Sequence, residues 1–425
     1  MNSKRAILYK LIGGLILLTG LFPEYSLAKE DCRSQIGASL NPLGKETPFY
    51  WGFEIIGGYG LRTNAQLANI NLYQALSFNH DNYKLYVETG YKWRDKNFEN
   101  HEQRSIRHAH FGARALYASF YFEHLEMTTG LFEASLKNSF ILDERVVGID
   151  IKSDLARWQW QLSAGSILKD FARHGAFCSV SHLLKTTIDD PSPLLGNKLG
   201  DMTFAAFSWQ LIPRQALPSE KEDEFEDFNE PVEESAPVLV PSKLKIEGLA
   251  LHAYSEFGRW IKSPSYFNGI TLSIGTPLIE KLTAESWIQI QSDQWNSIHK
   301  IAAEKSLGWQ QSAISCAYYT YWGDHYGHFT PPSFSNLFLG EMAQLDVIHL
   351  PLLTFNLFIP VQPWKTNIQF EHIIQLEHAH TRETDLMISH RFFGKMMTYF
   401  WVGRLSSQTI DETYWLTRLE LHWTL

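Results

Sequence analysis

The sequence lacks an apolar run long enough to cross a bilayer as a helix. About 18 residues are needed, and the longest run, Leu11 to Phe22, is broken by Gly13, Gly14, Thr19 and Gly20. A helical membrane protein is excluded. Cysteine is scarce: Cys32, Cys178 and Cys316 are all that 425 residues hold. They close at most one disulfide in an oxidising compartment. Cys32 with Cys178 is the preferred pair, because Cys316 sits inside an alternating segment. No two cysteines are close enough in sequence to suggest a metal site. Basic charge is also missing. The formal net charge is -9, and without a basic stripe nucleic acid is not a partner. The chain has no G-x-S-x-G and no H-E-x-x-H, so neither hydrolase signature is present.

Lys4, Arg5 and Lys10 precede the apolar run, and Ser26-Leu27-Ala28 follows it as a small-x-small cleavage site. Residues 1–28 therefore read as a secretory signal peptide. Lipoprotein processing is not expected, since Cys32 lies behind Lys29-Glu30-Asp31. Much of the negative charge sits in 219–235, where Glu220, Glu222, Asp223, Glu224, Glu226, Asp227, Glu230, Glu233 and Glu234 face only Lys221. Pro213, Pro218, Pro231, Pro237 and Pro241 punctuate the surrounding 213–242. Such a stretch cannot bury a core. It reads first as a solvated loop, and second as an acidic fringe or gate at a pore mouth.

From about residue 49 the chain alternates with period two, separated by polar breaks. Tyr83, Leu85, Val87, Thr89, Tyr91 and Trp93 share one face, and Lys84, Tyr86, Glu88, Gly90, Lys92 and Arg94 share the other. Leu282, Ala284, Ile288 and Ile290 alternate with Lys281, Thr283, Glu285, Gln289 and Gln291. Ile368, Phe370, Ile374 and Leu376 alternate with Gln369, Glu371, Gln375 and Glu377. At the C-terminus Trp415, Thr417, Leu419, Leu421, Trp423 and Leu425 alternate with Arg418, Glu420 and His422.

A soluble sandwich would turn the apolar face inward, whereas an outer-membrane barrel turns it to lipid. Four features favour the barrel. The strands are long. Aromatics, 14% of the chain, gather at strand ends like interfacial girdles. The polar faces carry charges of both signs. The chain also ends on a strand resembling the closing strand read by the barrel-assembly machinery, with Leu425 where such strands usually carry Phe. The expected fold is all-β: a single transmembrane antiparallel barrel spanning 49–425, in contact with outer-membrane lipid. Its termini are expected in the periplasm, with 29–48 as an N-terminal periplasmic segment. At roughly 20–22 residues per strand with its connections, the chain suits about 16–18 strands, 18 being preferred. A barrel of that size is too wide for side chains alone to fill.

Residues 113–167 carry a family resemblance. They contain Ala113-Arg114-Ala115-Leu116-Tyr117, Gly130-Leu131-Phe132, Asp143-Glu144-Arg145-Val146-Val147-Gly148 and the strand Trp158 to Gly165. This resembles the porin-like families that include alginate-export outer-membrane proteins, where L-R-x-A-Y leads to G-R-Q and then D-x-R-x-x-G. Leu131-Phe132 replaces the Arg-Gln of that pattern, removing a lumen cation. The resemblance implies a monomeric barrel of about 18 strands passing a polar solute or polymer such as a polysaccharide, with periplasmic export partners.

The candidate pore-lining residues are Lys84, Glu88, Lys92, Arg114, Glu285, Gln369, Glu371, Glu377, Arg418 and Glu420. Arg114 joins the set if His108, His110 and Gly112 share its face. Mixed-sign groups on such a wall select polar solutes by field and hydrogen bonding; singly, most only solvate the interior. The pairs His108/His110, His325/His328 and His378/His380 could ligate a metal, but without sequence partners they read first as loop or interface residues. No cofactor is expected. An outer-membrane protease would need converging acids and a histidine. Asp189-Asp190 and Asp324-His325 are adjacent, so their side chains point apart, and no enzyme activity is expected. A receptor, adhesin or anchor acting through its loops is the remaining alternative to a channel.

Overall fold

The computed structural model describes residues 40–43, 47–62, 65–98, 105–136, 142–154, 158–167, 202–211, 244–255, 265–275, 279, 281–291, 294–308, 312–323, 351–361, 364–376, 381–392, 396–407 and 410–425. Residues 1–28, expected to be a signal peptide, most of 29–48, the acidic stretch 213–242, Cys32, Cys178, Glu377 and the histidines at 325, 328, 378 and 380 lie outside this set, as do Asp189, Asp190 and Asp324.

The alternating segments become strands in chain order. They are β1 (Asn41–Pro42), β2 (Phe49–Arg62), β3 (Ala65–His80), β4 (Tyr83–Phe98), β5 (Ser105–Tyr121) and β6 (Leu125–Ser135). Next come β7 (Asp143–Asp154), β8 (Trp158–Ile167), β9 (Met202–Leu211), β10 (Lys245–Ser255), β11 (Ser265–Ile274) and β12 (Lys281–Gln291). The last are β13 (Gln294–Ser306), β14 (Ala313–Gly323), β15 (Leu352–Val361), β16 (Thr366–Gln375), β17 (Arg382–Arg391), β18 (Met396–Ser407) and β19 (Ile410–Thr424).

From β2 onward each strand pairs antiparallel with its successor, and β19 returns to β2. The result is a closed barrel of 18 strands. Closure satisfies every edge, which a lipid-facing sheet requires. The seam runs from Leu416↔Arg62 to Thr424↔Glu54. Reciprocal backbone hydrogen bonds between Phe53 and Leu425, at 3.4 and 2.8 Å, end it. Where β19 stops, β1 takes over the free edge of β2 through Asn41↔Trp51 and Pro42↔Tyr50. Pro42 has no N–H to extend that ladder.

The start of β2 and the end of β19 lie at one rim, called here the near rim; the opposite one is the far rim. Asp81-Asn82 joins β3 to β4 at the near rim by a two-residue hairpin. Leu211 and Lys245, the strand residues flanking the acidic stretch, are also at the near rim. The connections from Ile167 to Met202 and from Gly323 to Leu352 belong to the far rim. The wall is uneven: β3 and β4 have 16 residues each, β8 and β9 only 10.

Burial separates the two faces. Ile70, Leu76, Leu162, Ile270, Ile288, Ile301, Leu419 and Leu421 are exposed on the outer face. Phe49, Trp51, Trp158 and Trp423 ring the near rim, and Tyr266, Trp295, Trp322 and Trp415 the far rim. An apolar belt between two aromatic girdles is a membrane-spanning exterior.

The inner wall as candidate functional site

The opposite face of every strand is buried and largely polar. Along β19 Leu416, Arg418, Glu420, His422 and Thr424 are buried, while each residue between them is exposed. The same holds on β11, where Ser265, Phe267, Gly269, Thr271 and Ser273 are buried. The chemistry therefore resides on the inner wall.

Two arginine clusters are built into it. On β4, Glu88 pairs with Ala115 and Thr89 with Ala113, so Arg114 is the extra residue of a β-bulge in β5. A bulge shifts the period-two phase. Arg114 and Ala115, although adjacent, are consequently both buried on the inner wall, at 5% and 9% exposure. The Arg114 Nε lies 3.1 Å from Glu88 Oε1, and its guanidinium carbon sits 4.1 Å from the centre of the Tyr73 ring. Tyr86 donates its hydroxyl to the other Glu88 oxygen at 2.8 Å. Ile56, Tyr73, Ala75, Tyr86 and Ala115 pack together beneath this group. Gly90 makes room, because a Cβ there would meet the Tyr73 ring at 2.6 Å.

The second cluster straddles β18 and β19. Arg418 Nε lies 2.9 Å from Glu420 Oε1, and its guanidinium carbon sits 3.7 Å above the Trp401 ring. His422 Nε2 approaches the second Glu420 oxygen at 3.0 Å, and Tyr399 stacks on Trp401. Residues i and i+2 on a strand share a face, which brings Arg418, Glu420 and His422 into one line. Gly60 on β2 stands opposite Arg418.

Elsewhere the wall carries simpler pairs. Glu285 and Lys300 face each other across β12 and β13 with 3.1 Å between Oε1 and Nζ; Lys300 lies 5.6 Å from the Tyr319 ring centre. Asp150 accepts from Gln161 at 2.9 Å and from the Ser163 hydroxyl, and its other oxygen is 3.1 Å from Lys152 Nζ. On β16 and β17 the balance is acidic. Glu371 faces Asp385 across the ladder, and Glu383 shares the face of Asp385, both buried. Across β6, β7 and β8 runs a row of inner glycines, Gly130↔Gly148↔Gly165. A Cβ at Gly148 would come within 2.1 Å of the Ala164 carbonyl oxygen, so the backbones approach there as only glycine allows.

Of the residues singled out from the sequence, Glu88, Arg114, Arg418 and Glu420 lie buried on the inner wall. Lys84, Glu285, Gln369 and Glu371 occupy inner positions and are half-buried. The register pairs Lys92 with Asn71 and His110; the Lys92 side chain and Glu377 lie outside the described residues. The condition placed on Arg114 is met in the backbone, since His108, His110 and Gly112 pair with Arg94, Lys92 and Gly90. Among the described residues no group of three or more His, Cys, Asp or Glu could hold a metal ion.

Sequence reading missed Glu383, Asp385 and Trp287. Glu383 and Asp385 were hidden because Arg382 and Thr384 make the outer face polar too, erasing the period-two contrast. Trp287 was hidden by its type: an aromatic on a barrel strand suggests lipid, yet Trp287 is 1% exposed.

No family model and no curated protein matches the chain. Solved structures do. It is similar to OccD3 (OpdP) of Pseudomonas aeruginosa, with a TM-score of 0.55 and 10% identity over 92% of this chain and 94% of that one. For OccAB1 of Acinetobacter baumannii the values are 0.55 and 9%, over 91% and 98%. For the outer membrane protein opdK of Pseudomonas aeruginosa they are 0.53 and 8%, over 89% and 98%. These neighbours do not support the alginate-export resemblance read from 113–167 or the export of a polysaccharide. Part of that motif has a backbone explanation: Gly130 and Gly148 belong to the close-approach row. At such low identity the likeness is one of fold, and the chain has the 18-strand barrel of the Occ/OprD outer-membrane porins.

Proposed function

We propose that this protein is an outer-membrane channel for small polar solutes, its specificity set by fixed charges on the inner wall. The observation that carries this reading is the pairing of an apolar exterior with an inner face bearing acids and bases in a barrel of 18 strands. Side chains alone do not fill so wide a barrel, and charged groups on the inside require water or polar solute as their medium. The structural neighbours support a porin-like channel and are not enzymes.

The charge arrangement suggests an uneven field within the bore, with its acidic and basic sectors separated by β18, β19, β2 and β3. Glu371, Glu383 and Asp385 occupy one side, on β16 and β17. Lys84 and Arg114, with Glu88, occupy β4 and β5. A polar solute crossing between these walls aligns its dipole with the field. Among the described inner-wall residues acids outnumber bases, Glu54, Glu126, Glu304, Glu371, Glu383 and Asp385 among them, and this excess favours cations.

The test is planar-bilayer recording of the purified, heat-modifiable barrel under a salt gradient. A cation-selective reversal potential is expected. E371Q/D385N should move it towards anions, and K84E further towards cations. A folded barrel that passes no current, even with the far-rim connections 168–201 and 324–351 shortened, would overturn the channel reading. It would leave a receptor, adhesin or anchor acting through its loops.

A further inference from the structure

We propose that the outer wall at the far rim carries a seat for the phosphate of a lipid headgroup, formed by Arg382 and Arg404 with Thr384 between them. Both arginines are exposed, and both lie on the outer face, because their inner-facing neighbours Glu383, Asp385 and Leu405 are buried at 0%, 5% and 2%. The register sets Arg382 opposite Ser406 and Thr384 opposite Arg404. The two arginines are thus diagonal neighbours on one face, with backbones about 7–8 Å apart. Extended guanidinium groups from such positions can converge on one tetrahedral anion.

The surroundings set the depth. Arg404 lies 5.4 Å from the ring centre of Trp415, one of the far-rim aromatics. Thr384 is bonded to His372 Nδ1 at 2.8 Å on the next strand, so a polar row runs His372–Thr384–Arg404–Trp415 across the outside of four strands. Towards the near rim the same face turns apolar, with Phe400, Leu419 and Leu421 exposed. The row therefore lies where hydrocarbon gives way to headgroups.

Charge complementarity selects the occupant. The described outer-face acids near the far rim, Asp95 and Glu133, face Arg107 and Arg145 in the register. Arg382 instead faces Ile374 and Ser406, and Arg404 faces Thr384 and Trp415. Among the described residues no acid stands opposite either arginine in the ladder. The anion that completes this patch comes from the membrane, and planar guanidinium groups suit phosphate in bidentate fashion. The occupant is a phosphate-bearing lipid of the leaflet at the far rim.

The test uses the full-length barrel in a neutral detergent, titrated with phosphatidic acid, with bound lipid counted by native mass spectrometry. Wild type should hold the lipid. R382Q/R404Q should need about tenfold more lipid for half-occupancy, while its heat-modifiable mobility shows a folded barrel. K305Q, which removes an exposed lysine from the last residues of β13 at the near rim, should bind as wild type does. Phosphatidylcholine with the same acyl chains should bind weakly and equally to all three. Equal phosphatidic acid binding by wild type and R382Q/R404Q overturns the proposal. Equal loss in K305Q overturns it by showing a diffuse charge effect. Full displacement by millimolar inorganic phosphate overturns the lipid source, since it marks a seat for a soluble anion.

Discussion

Replacing Arg418 with Met tests whether the charged inner wall holds the barrel together. Arg418 and Glu420 side chains are 2% and 1% exposed, 2.9 Å apart at Nε and Oε1, and the guanidinium lies on Trp401. Methionine keeps much of the volume but leaves the Glu420 carboxylate without its cation. Breaking a buried pair by removing one partner costs about 3–5 kcal/mol. His422 still approaches the second carboxylate oxygen at 3.0 Å, which places R418M near the lower end, about 3 kcal/mol. Buried pairs exchange for neutral groups at little net cost, so R418M/E420Q should recover about 2 kcal/mol of that loss. The assay is urea-dependent folding into lipid vesicles, read as the heat-modifiable fraction on gels. If R418M lies within about 0.5 kcal/mol of wild type, the cluster contributes as an exposed pair would, and the argument from burial fails.

Other positions test other parts of the architecture. Leu421 is exposed on the lipid face of the closing strand, so L421R should cost about 2–4 kcal/mol near the midplane and less nearer a rim, measured by the same titration. At Gly148, valine would press its Cβ into the backbone of β8; G148V should sharply lower the yield of heat-modifiable barrel, and normal assembly would refute the close approach. Deleting 219–235 should leave assembly intact, since Leu211 and Lys245 still begin and end paired strands. If that segment fringes the near-rim mouth, its loss should lower cation preference most at low salt, as the reach of its charge is about 10 Å at 0.1 M.

The sequence by itself determined the class of fold. Period-two alternation depends only on the identity of neighbours along the chain, so the faces of β4, β12, β16 and β19 could be assigned from residues alone, and strand spacing carried the count to 18. What it could not determine was anything that depends on a partner strand. The bulge that turns Arg114 and Ala115 to the same face exists only as a mismatch between β4 and β5, and alternation read along β5 alone cannot place both. The contact of Arg418 with Trp401 and the facing of Glu371 and Asp385 both depend on cross-strand register, which is set by how all the strands close. The lipid-face arginines 382 and 404 look like ordinary hydrophilic residues in sequence; only the barrel shows that they share one patch of the outer wall. Local alternation is a property of one strand, whereas charge pairing, close approach and depth in the membrane are properties of the closed sheet.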